Sequence, residues 1–241
     1  MTYWIPGRAR TGIGTRRCLV PDFGQLKPEE LAPYVSTSMI EADVTEKDIV
    51  DFVEATKGFA FASLAVDLLY IDLMKKLLEG SERRITTVSS YPLGGMTTDV
   101  KLKQVAYARD HGAYDIDVSM NYLWVKNGDF KAVEQEVRQI IGEAGPLKVV
   151  MIPQTAILTN EEKKQTCEAL LKGGCTTIKT CSGFGWKTEV EDVQYIKRLF
   201  GGDIEIEVSG GVRTHDDTVP MLTAGAARLH TSTPMQVLGA A

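Results

Sequence analysis

The chain has little sulfur, little histidine, no long apolar run and no surplus of basic charge, and each shortage removes a class of function. Its four cysteines, Cys18, Cys167, Cys175 and Cys181, form no C-x-x-C pair, and its three histidines do not stand beside them at zinc-site spacing. Neither a metal site nor a disulfide framework is expected. The cysteines read as free thiols in a reducing cytoplasm, with Cys181 favoured as a small buried filler over a reactive group. No stretch approaches the roughly 18 consecutive apolar residues of a membrane span, and the first residues, broken by Pro6, Gly7 and Arg8, form no signal-peptide core. With 27 Lys and Arg against 32 Asp and Glu, the formal net charge is −5. No basic face is available in bulk for nucleic acid or an anionic membrane. These exclusions leave a soluble protein whose partner is a small molecule.

What is present is an alternation. The chain has 241 residues, 44% of them hydrophobic, enough for one large core and suited to a single α/β barrel of roughly 200–250 residues. From Tyr34 onward, short β-branched or apolar runs alternate with longer charged segments of helical period, the pattern of βα units around a parallel sheet. Strands are predicted over Tyr34–Met39, Phe61–Asp67, Arg84–Tyr91, Tyr114–Met120, Leu147–Pro153, Thr176–Thr180, Ile204–Ser209 and Ala227–Thr231. Helices are predicted over Glu46–Thr56, Tyr70–Leu78, Thr98–Arg109, Phe130–Glu143, Asn160–Lys172, Glu189–Leu199 and Asp216–Ala224. Eight units favour a closed (β/α)8 barrel over an open doubly wound sheet. Thr45 and Thr159, each followed by acidic residues, read as helix caps. Residues 1–33 fall outside the repeat and carry Arg8, Arg10, Arg16 and Arg17. They read as an arm or capping segment, with residues 34–241 as the barrel.

The run Thr177-Ile178-Lys179-Thr180-Cys181-Ser182-Gly183-Phe184 places a lysine at a strand end, just before a glycine turn. Desolvation there lowers a lysine pKa and frees the amine to attack a carbonyl. A lysine snorkelling to the barrel rim is the plain alternative. Period-two alternation puts Asp115 and Asp117 on one face of the fourth strand, and Glu205, Glu207 and Ser209 on one face of the seventh. With Ile116, Val118, Ile206 and Val208 turned to the helices, these acids look into the barrel. They are expected to be paired with cations or used in chemistry, and a structural ion-pair cluster stands beside the catalytic reading. Ser209-Gly210-Gly211-Val212-Arg213 and Thr231-Ser232-Thr233 follow the last two strands, where backbone N–H groups and hydroxyls commonly hold phosphate.

Gly112–Asp129 (GAYDIDVSMNYLWVKNGD), Thr177–Phe184 (TIKTCSGF), Ser209–Thr214 (SGGVRT) and Ala224–Ser232 (AGAARLHTS), with Tyr91-Pro92-Leu93-Gly94, resemble the deoxyribose-phosphate aldolases. The likeness runs from about Leu31 to Leu238. It implies a cofactor-free class I aldolase in which Lys179 forms the Schiff base and Asp117 joins the proton relay. It also implies that Gly183, Gly210, Gly211 and Ser232 bind the substrate phosphate. The chain departs from the family pattern where Glu207 replaces a second lysine. It departs again at Ser36-Thr37-Ser38, which stands for Asp-His-Thr, at Glu41 for lysine, and at Ala65-Val66-Asp67-Leu68 for Cys-x-Asn-Pro. Ile152 or Pro153 occupies the place of a strand-end glutamate.

The expectation is an aldolase for a phosphorylated sugar or hydroxy-ketone, with altered donor or acceptor. Its catalytic residues are Lys179, Asp117 and Glu207, and Gly183, Ser209, Gly210, Gly211, Ser232 and Thr233 hold the phosphate. Deoxyribose-phosphate aldolase activity itself, an imine lyase or isomerase, and a non-catalytic sugar-phosphate binding protein are the alternatives. A homodimer is the expected assembly.

Overall fold

A computed structural model describes residues 21–240. Eight parallel strands, each hydrogen-bonded to the next and the last to the first, close a barrel. They are β1 (Val35–Met39), β2 (Ser63–Val66), β3 (Ile85–Ser89), β4 (Asp115–Ser119), β5 (Lys148–Ile152), β6 (Thr177–Lys179), β7 (Glu205–Ser209) and β8 (Arg228–Thr231). Each predicted strand lies over one of these. The connecting helices are Glu46–Ala55, Ile71–Leu77, Thr98–Asp110, Phe130–Ala144, Asn160–Gly173, Val190–Phe200 and His215–Thr223. The short helices Tyr122–Lys126 and Pro234–Leu238 have no counterpart in the expected elements, because five residues are too few to display a helical period.

Helix starts follow the cap chemistry. Thr45 Oγ1 accepts from the Asp48 amide while Asp48 accepts from that of Thr45, and Thr159 and Glu162 make the same reciprocal pair. Each pair satisfies amides that the first turn leaves without partners.

The barrel wall separates two unlike interiors. Outward-facing Ile116, Val118, Met151, Ile178, Ile206, Val208 and Leu229 join the helices in one apolar core. Ala65, Val88, Val150 and Ile152 are buried but stand outside that core, at the alternate, inward positions. The remaining inward positions are largely polar, and they form the site. Of the predicted arm, residues 1–20 with their four arginines lie outside the described residues. Phe23, Leu31 and Ala32 are buried in the barrel's core, and Phe23 packs edge-on against Tyr34 at 5.3 Å.

Ion pairs are also buried between helices rather than inside the barrel, Lys163 with Asp192 and Lys101 with Glu136. Lys101 Nζ donates to Glu136 Oε2 at 3.0 Å, both side chains being enclosed, and Thr98 Oγ1 donates to Glu136 Oε1 at 3.1 Å. Removing one member of such a pair leaves an uncompensated charge, a loss of ~3–5 kcal/mol. Glu136→Ala is therefore expected to lower the unfolding free energy by about that amount, whereas the double substitution Lys101→Met with Glu136→Leu recovers most of it. Urea unfolding of the two variants measures the difference; equal losses would contradict the pairing.

Candidate active site

Strand β6 is three residues long, and its last residue is Lys179. The chain then turns through Gly183, whose φ of +89° is the left-handed conformation that glycine adopts without strain. The Lys179 side chain points into the barrel, 3% exposed. Its ammonium donates to Asp117 Oδ2 on β4 and to His230 Nδ1 on β8, the latter at 2.8 Å. Burial and the neighbouring Lys179 and Arg228 cations hold the His230 imidazolium well below the ordinary histidine pKa. Among the described residues, two atoms of this cluster are buried without hydrogen-bond partners: Asp117 Oδ1 and His230 Nε2.

A second charged group lies alongside. Glu207 is the register partner of both Lys179 and Arg228. Its carboxylate, however, faces Arg228 Nη1 at 3.4 Å and Lys148 Nζ at 3.6 Å. Glu207 thus lies beside Lys179 in register, while its near partners are on β8 and β5. Arg228 also reaches Asp115 Oδ2 at 3.6 Å. Asp115 in turn accepts from Thr86 Oγ1, and the hydroxyls of Thr86, Ser63 and Ser36 continue the chain at hydrogen-bond distances of 2.7 and 2.8 Å. Polar contacts thus run around the barrel from β1 to β8. Burial raises the Glu207 carboxyl above its ordinary value, against the pull of Arg228. Burial, with Asp117 and Glu207 adding negative charge, pushes Asp115 up to about 7.

The carboxyl ends of the strands enclose a cavity of about 220 Å³. Gly183, Ser209, Gly210, Gly211 and Ser232 line it, together with His230. Gly210 and Gly211 have φ values of +91° and +88°. A Cβ on Gly210 would lie 2.6 Å from the Trp186 carbonyl oxygen, so the β6 and β7 loops meet where only glycine fits. Thr188 holds them together, its amide donating to the Gly210 carbonyl at 3.0 Å and its hydroxyl to that of Ser209 at 2.6 Å. Thr233 stands off the cavity wall, its hydroxyl donating to the Arg213 carbonyl at 3.0 Å. Tyr91 and Phe184, edge to face at 5.5 Å, form an aromatic side of the wall. Lys179, Asp117 and Glu207 are not part of that wall; His230 connects it to the lysine.

No protein-family model matches the sequence. A deoxyribose-phosphate aldolase of Desulfitobacterium hafniense (strain DSM 10664 / DCB-2) is 33% identical over 216 residues, covering 88% of this chain and 99% of the relative. One of Carboxydothermus hydrogenoformans is 33% identical over 214 residues, 87% and 94% of the two chains. The chain belongs to the deoxyribose-phosphate aldolase family. Among solved structures, an aldolase described as QR15 superposes with a TM-score of 0.83 at 27% identity, over 87% of this chain and 95% of that one. The tetrameric deoxyribose phosphate aldolase of Aeropyrum pernix has a TM-score of 0.80 at 22% identity, over 90% and 96%, a likeness of fold.

Two residues of this buried cluster, His230 and Arg228, are not among the candidate residues of the sequence analysis. The signal was available: in Arg228-Leu229-His230-Thr231 the same period-two rule that turns Asp117 inward turns residues 228 and 230 inward. Cys167, Cys175 and Cys181 are free and buried, as expected of fillers; Cys18 lies outside the described residues. Among the described residues no group of three or more His, Cys, Asp or Glu side chains is arranged to hold a metal ion. No helix among them is long and apolar enough to cross a membrane.

The Asp115 shift has a thermodynamic consequence. Its folded-state pKa of about 7 lies above the ordinary 3.8, so between those values the folded protein binds a proton that the unfolded chain releases. Its contribution to stability therefore falls as pH rises from 4 toward 7 and is lowest above 7. Asp115→Asn removes this dependence while keeping an acceptor for Thr86. Relative to the parent, its urea midpoint is expected to be higher at pH 8 than at pH 5; the reverse order would show that Asp115 is held ionised by Arg228.

Proposed function

We propose that the chain is a class I aldolase that makes or breaks a carbon–carbon bond in a phosphorylated sugar or hydroxy-ketone through an imine on Lys179. The observation that carries this reading is a buried lysine, hydrogen-bonded to a carboxylate and a neutral imidazole, beside a cavity edged by consecutive glycine amides. The family supports aldolase chemistry on a sugar phosphate. The donor and acceptor follow from the residues of this chain, whose differences from the family pattern at Glu207, Ser36-Thr37-Ser38 and Glu41 favour an altered partner for one of the two.

In this reading, the Gly210-Gly211 backbone, with Gly183, Ser209 and Ser232, binds the phosphate. Unpaired N–H groups in successive left-handed residues form an anion-binding concavity. Thr233 supports it by holding the β7 and β8 loops together. Lys179 adds to the substrate carbonyl and loses water to form an iminium. The iminium draws in the electron pair of the adjacent bond as that bond breaks, leaving an enamine. Asp117, with one oxygen free, takes the proton from the substrate hydroxyl whose carbon leaves as an aldehyde, and returns a proton to the enamine carbon. Glu207 completes the set as an acid–base group one register step from Lys179, with a raised pKa. We take the working form as a cytoplasmic homodimer with neither nucleic acid nor membrane as its partner.

A non-catalytic sugar-phosphate binding protein is the rival, and one observation favours it: the Lys179 amine is paired with Asp117 and stands off the cavity wall. It predicts a raised melting temperature with phosphorylated ligand and no turnover.

The first test is kinetic. Retro-aldol cleavage of 2-deoxyribose 5-phosphate, and of phosphorylated ketoses offered in parallel, is expected to be detectable in the parent and lost in Lys179→Ala, which stays folded by circular dichroism although its melting temperature falls as Asp117 loses its buried counter-ion. Undiminished turnover in that variant contradicts the assignment. Glu207→Gln separates two roles: a rate loss of ~10²-fold or more at constant stability supports acid–base use, whereas a stability loss at constant rate makes it an ion-pair residue alone. For the phosphate loop, Gly210→Ala introduces a Cβ 2.6 Å from Trp186 O. It should raise KM for a phosphorylated substrate at least tenfold while leaving the rate with an unphosphorylated aldehyde nearly unchanged; equal effects on both would remove the phosphate role.

A further inference from the structure

Beyond Lys179 the chain leaves the sheet, and the strand ladder holds it unequally on its two sides. β6 has a single register pair with β5, Met151 with Ile178, against three with β7. On the β5 side, loop contacts take over. The Thr155 amide donates to the Thr180 carbonyl at 2.8 Å. Gln154 reaches Ser182 twice, its Oε1 accepting from the Ser182 amide at 2.7 Å and its Nε2 donating to Ser182 Oγ at 3.2 Å. From the loop after β3, the Tyr91 hydroxyl donates to the Ser182 carbonyl. The amide, carbonyl and hydroxyl oxygen of Ser182 are thus all engaged, two of them by Gln154.

Gln154 is fully enclosed, and its φ of +58° is left-handed, a conformation that residues with a Cβ seldom adopt. Such a conformation persists only where the surroundings hold it, and it tends to mark functional positions. Here both ends of the side-chain amide are occupied by one residue of the neighbouring loop, which takes an acceptor and a donor on the same side chain. Gln154 is not part of the cavity wall, whereas Ser182, Gly183 and Phe184 are. A Cβ on Gly183 would lie 3.5 Å from Ser209 Oγ and 3.9 Å from the Gly210 nitrogen, so this loop stands directly against the one after β7. Because the trans peptide joining Ser182 to Gly183 is planar, fixing the Ser182 carbonyl on Tyr91 also fixes the direction of the Gly183 N–H. We infer that Gln154 is a positioning residue for anion binding: by holding Ser182 it sets Gly183 beside the Gly210-Gly211 backbone, without touching the substrate itself. Its effect falls on phosphate binding and not on imine formation, since Lys179 is tied separately by the β7 ladder, Asp117 and His230. The inference rests on the phosphate-site reading above and is independent of the imine.

Two probes on the full chain separate these effects. Inorganic phosphate, followed by ³¹P NMR titration, needs only the anion site; acetaldehyde, trapped on Lys179 with borohydride over a time course, needs only the lysine. Gln154→Gly accepts the left-handed backbone without strain and removes the side chain. Gln154→Met keeps most of the volume and removes both hydrogen bonds. Tyr91→Phe removes the third bond to Ser182 and keeps the ring against Phe184. With folding checked by circular dichroism, phosphate affinity is expected to fall about tenfold or more in both Gln154 variants and by a smaller factor in Tyr91→Phe, while the adduct rate stays within about threefold of the parent. A folded Gln154 variant with the parent's phosphate affinity refutes the inference. Equal losses with both probes, or failure of both Gln154 variants to fold, also refute it, because Gln154 would then support the barrel as a whole. A parent that does not bind phosphate removes the anion-site reading and the inference with it. A parent that binds phosphate but forms no Lys179 adduct overturns the imine alone, and the affinity comparison still decides the role of Gln154.

Discussion

Charge that is buried inside a barrel must find charge to meet it, and this requirement orders the interior of the molecule. Asp115, Asp117 and Glu207 are enclosed, as are Lys179 and most of Arg228. Three carboxyls against two cations leave one negative charge in excess, with Lys148 at the edge supplying part of the balance. The elevated Asp115 pKa is the expected response: where a full set of charges cannot be paired, a carboxyl keeps its proton. The strand register makes these residues interdependent, since Lys179 pairs with Glu207 and Glu207 with Arg228 across neighbouring strands. A change at one of them is felt by the others.

This arrangement divides the interior. One group, Asp115, Arg228, Glu207 and Lys148, is tied mainly to itself and to the hydroxyls of Ser36, Ser63 and Thr86. The other, Asp117, Lys179 and His230, lies nearer the cavity, with His230 forming part of its wall. The glycine loops after β6 and β7 then provide the mouth, and the Gly210 contact with Trp186 explains why their backbones approach as closely as they do. The apolar layer outside the wall contributes none of this chemistry. It holds the strands in register, and register is what brings Lys179, Asp117 and His230 within reach of one another.

Much of the fold was legible in the residues because the period-two and helical patterns are long. Each of the eight strands lies within its expected run, and the caps at Thr45 and Thr159 act as their chemistry implies. The inward direction of Asp117 and Glu207 was readable for the same reason. Which cation each would meet was not, because alternation gives a side of the strand and leaves the side-chain conformation and the neighbouring strand unspecified. Glu207 accordingly faces Arg228 and Lys148. His230 is hard to read from the sequence because the hydroxyl-rich Thr231-Ser232-Thr233 dominates the end of β8, beyond the two residues that turn inward before it. Thr233 illustrates the opposite difficulty: a hydroxyl in a loop is equally suited to a phosphate and to a backbone carbonyl, and here the Arg213 carbonyl accepts it.

The central claim is that Lys179, at the end of β6, is the nucleophile of an imine-forming aldolase. Its most direct measurement is intact-mass spectrometry after borohydride treatment in the presence of acetaldehyde, pyruvate, dihydroxyacetone phosphate and 2-deoxyribose 5-phosphate in parallel, with the adduct located by digestion. The account predicts a single reduced adduct on Lys179 with at least one of these carbonyl compounds. No adduct with any of them in the folded protein, or an adduct confined to other lysines, would contradict it.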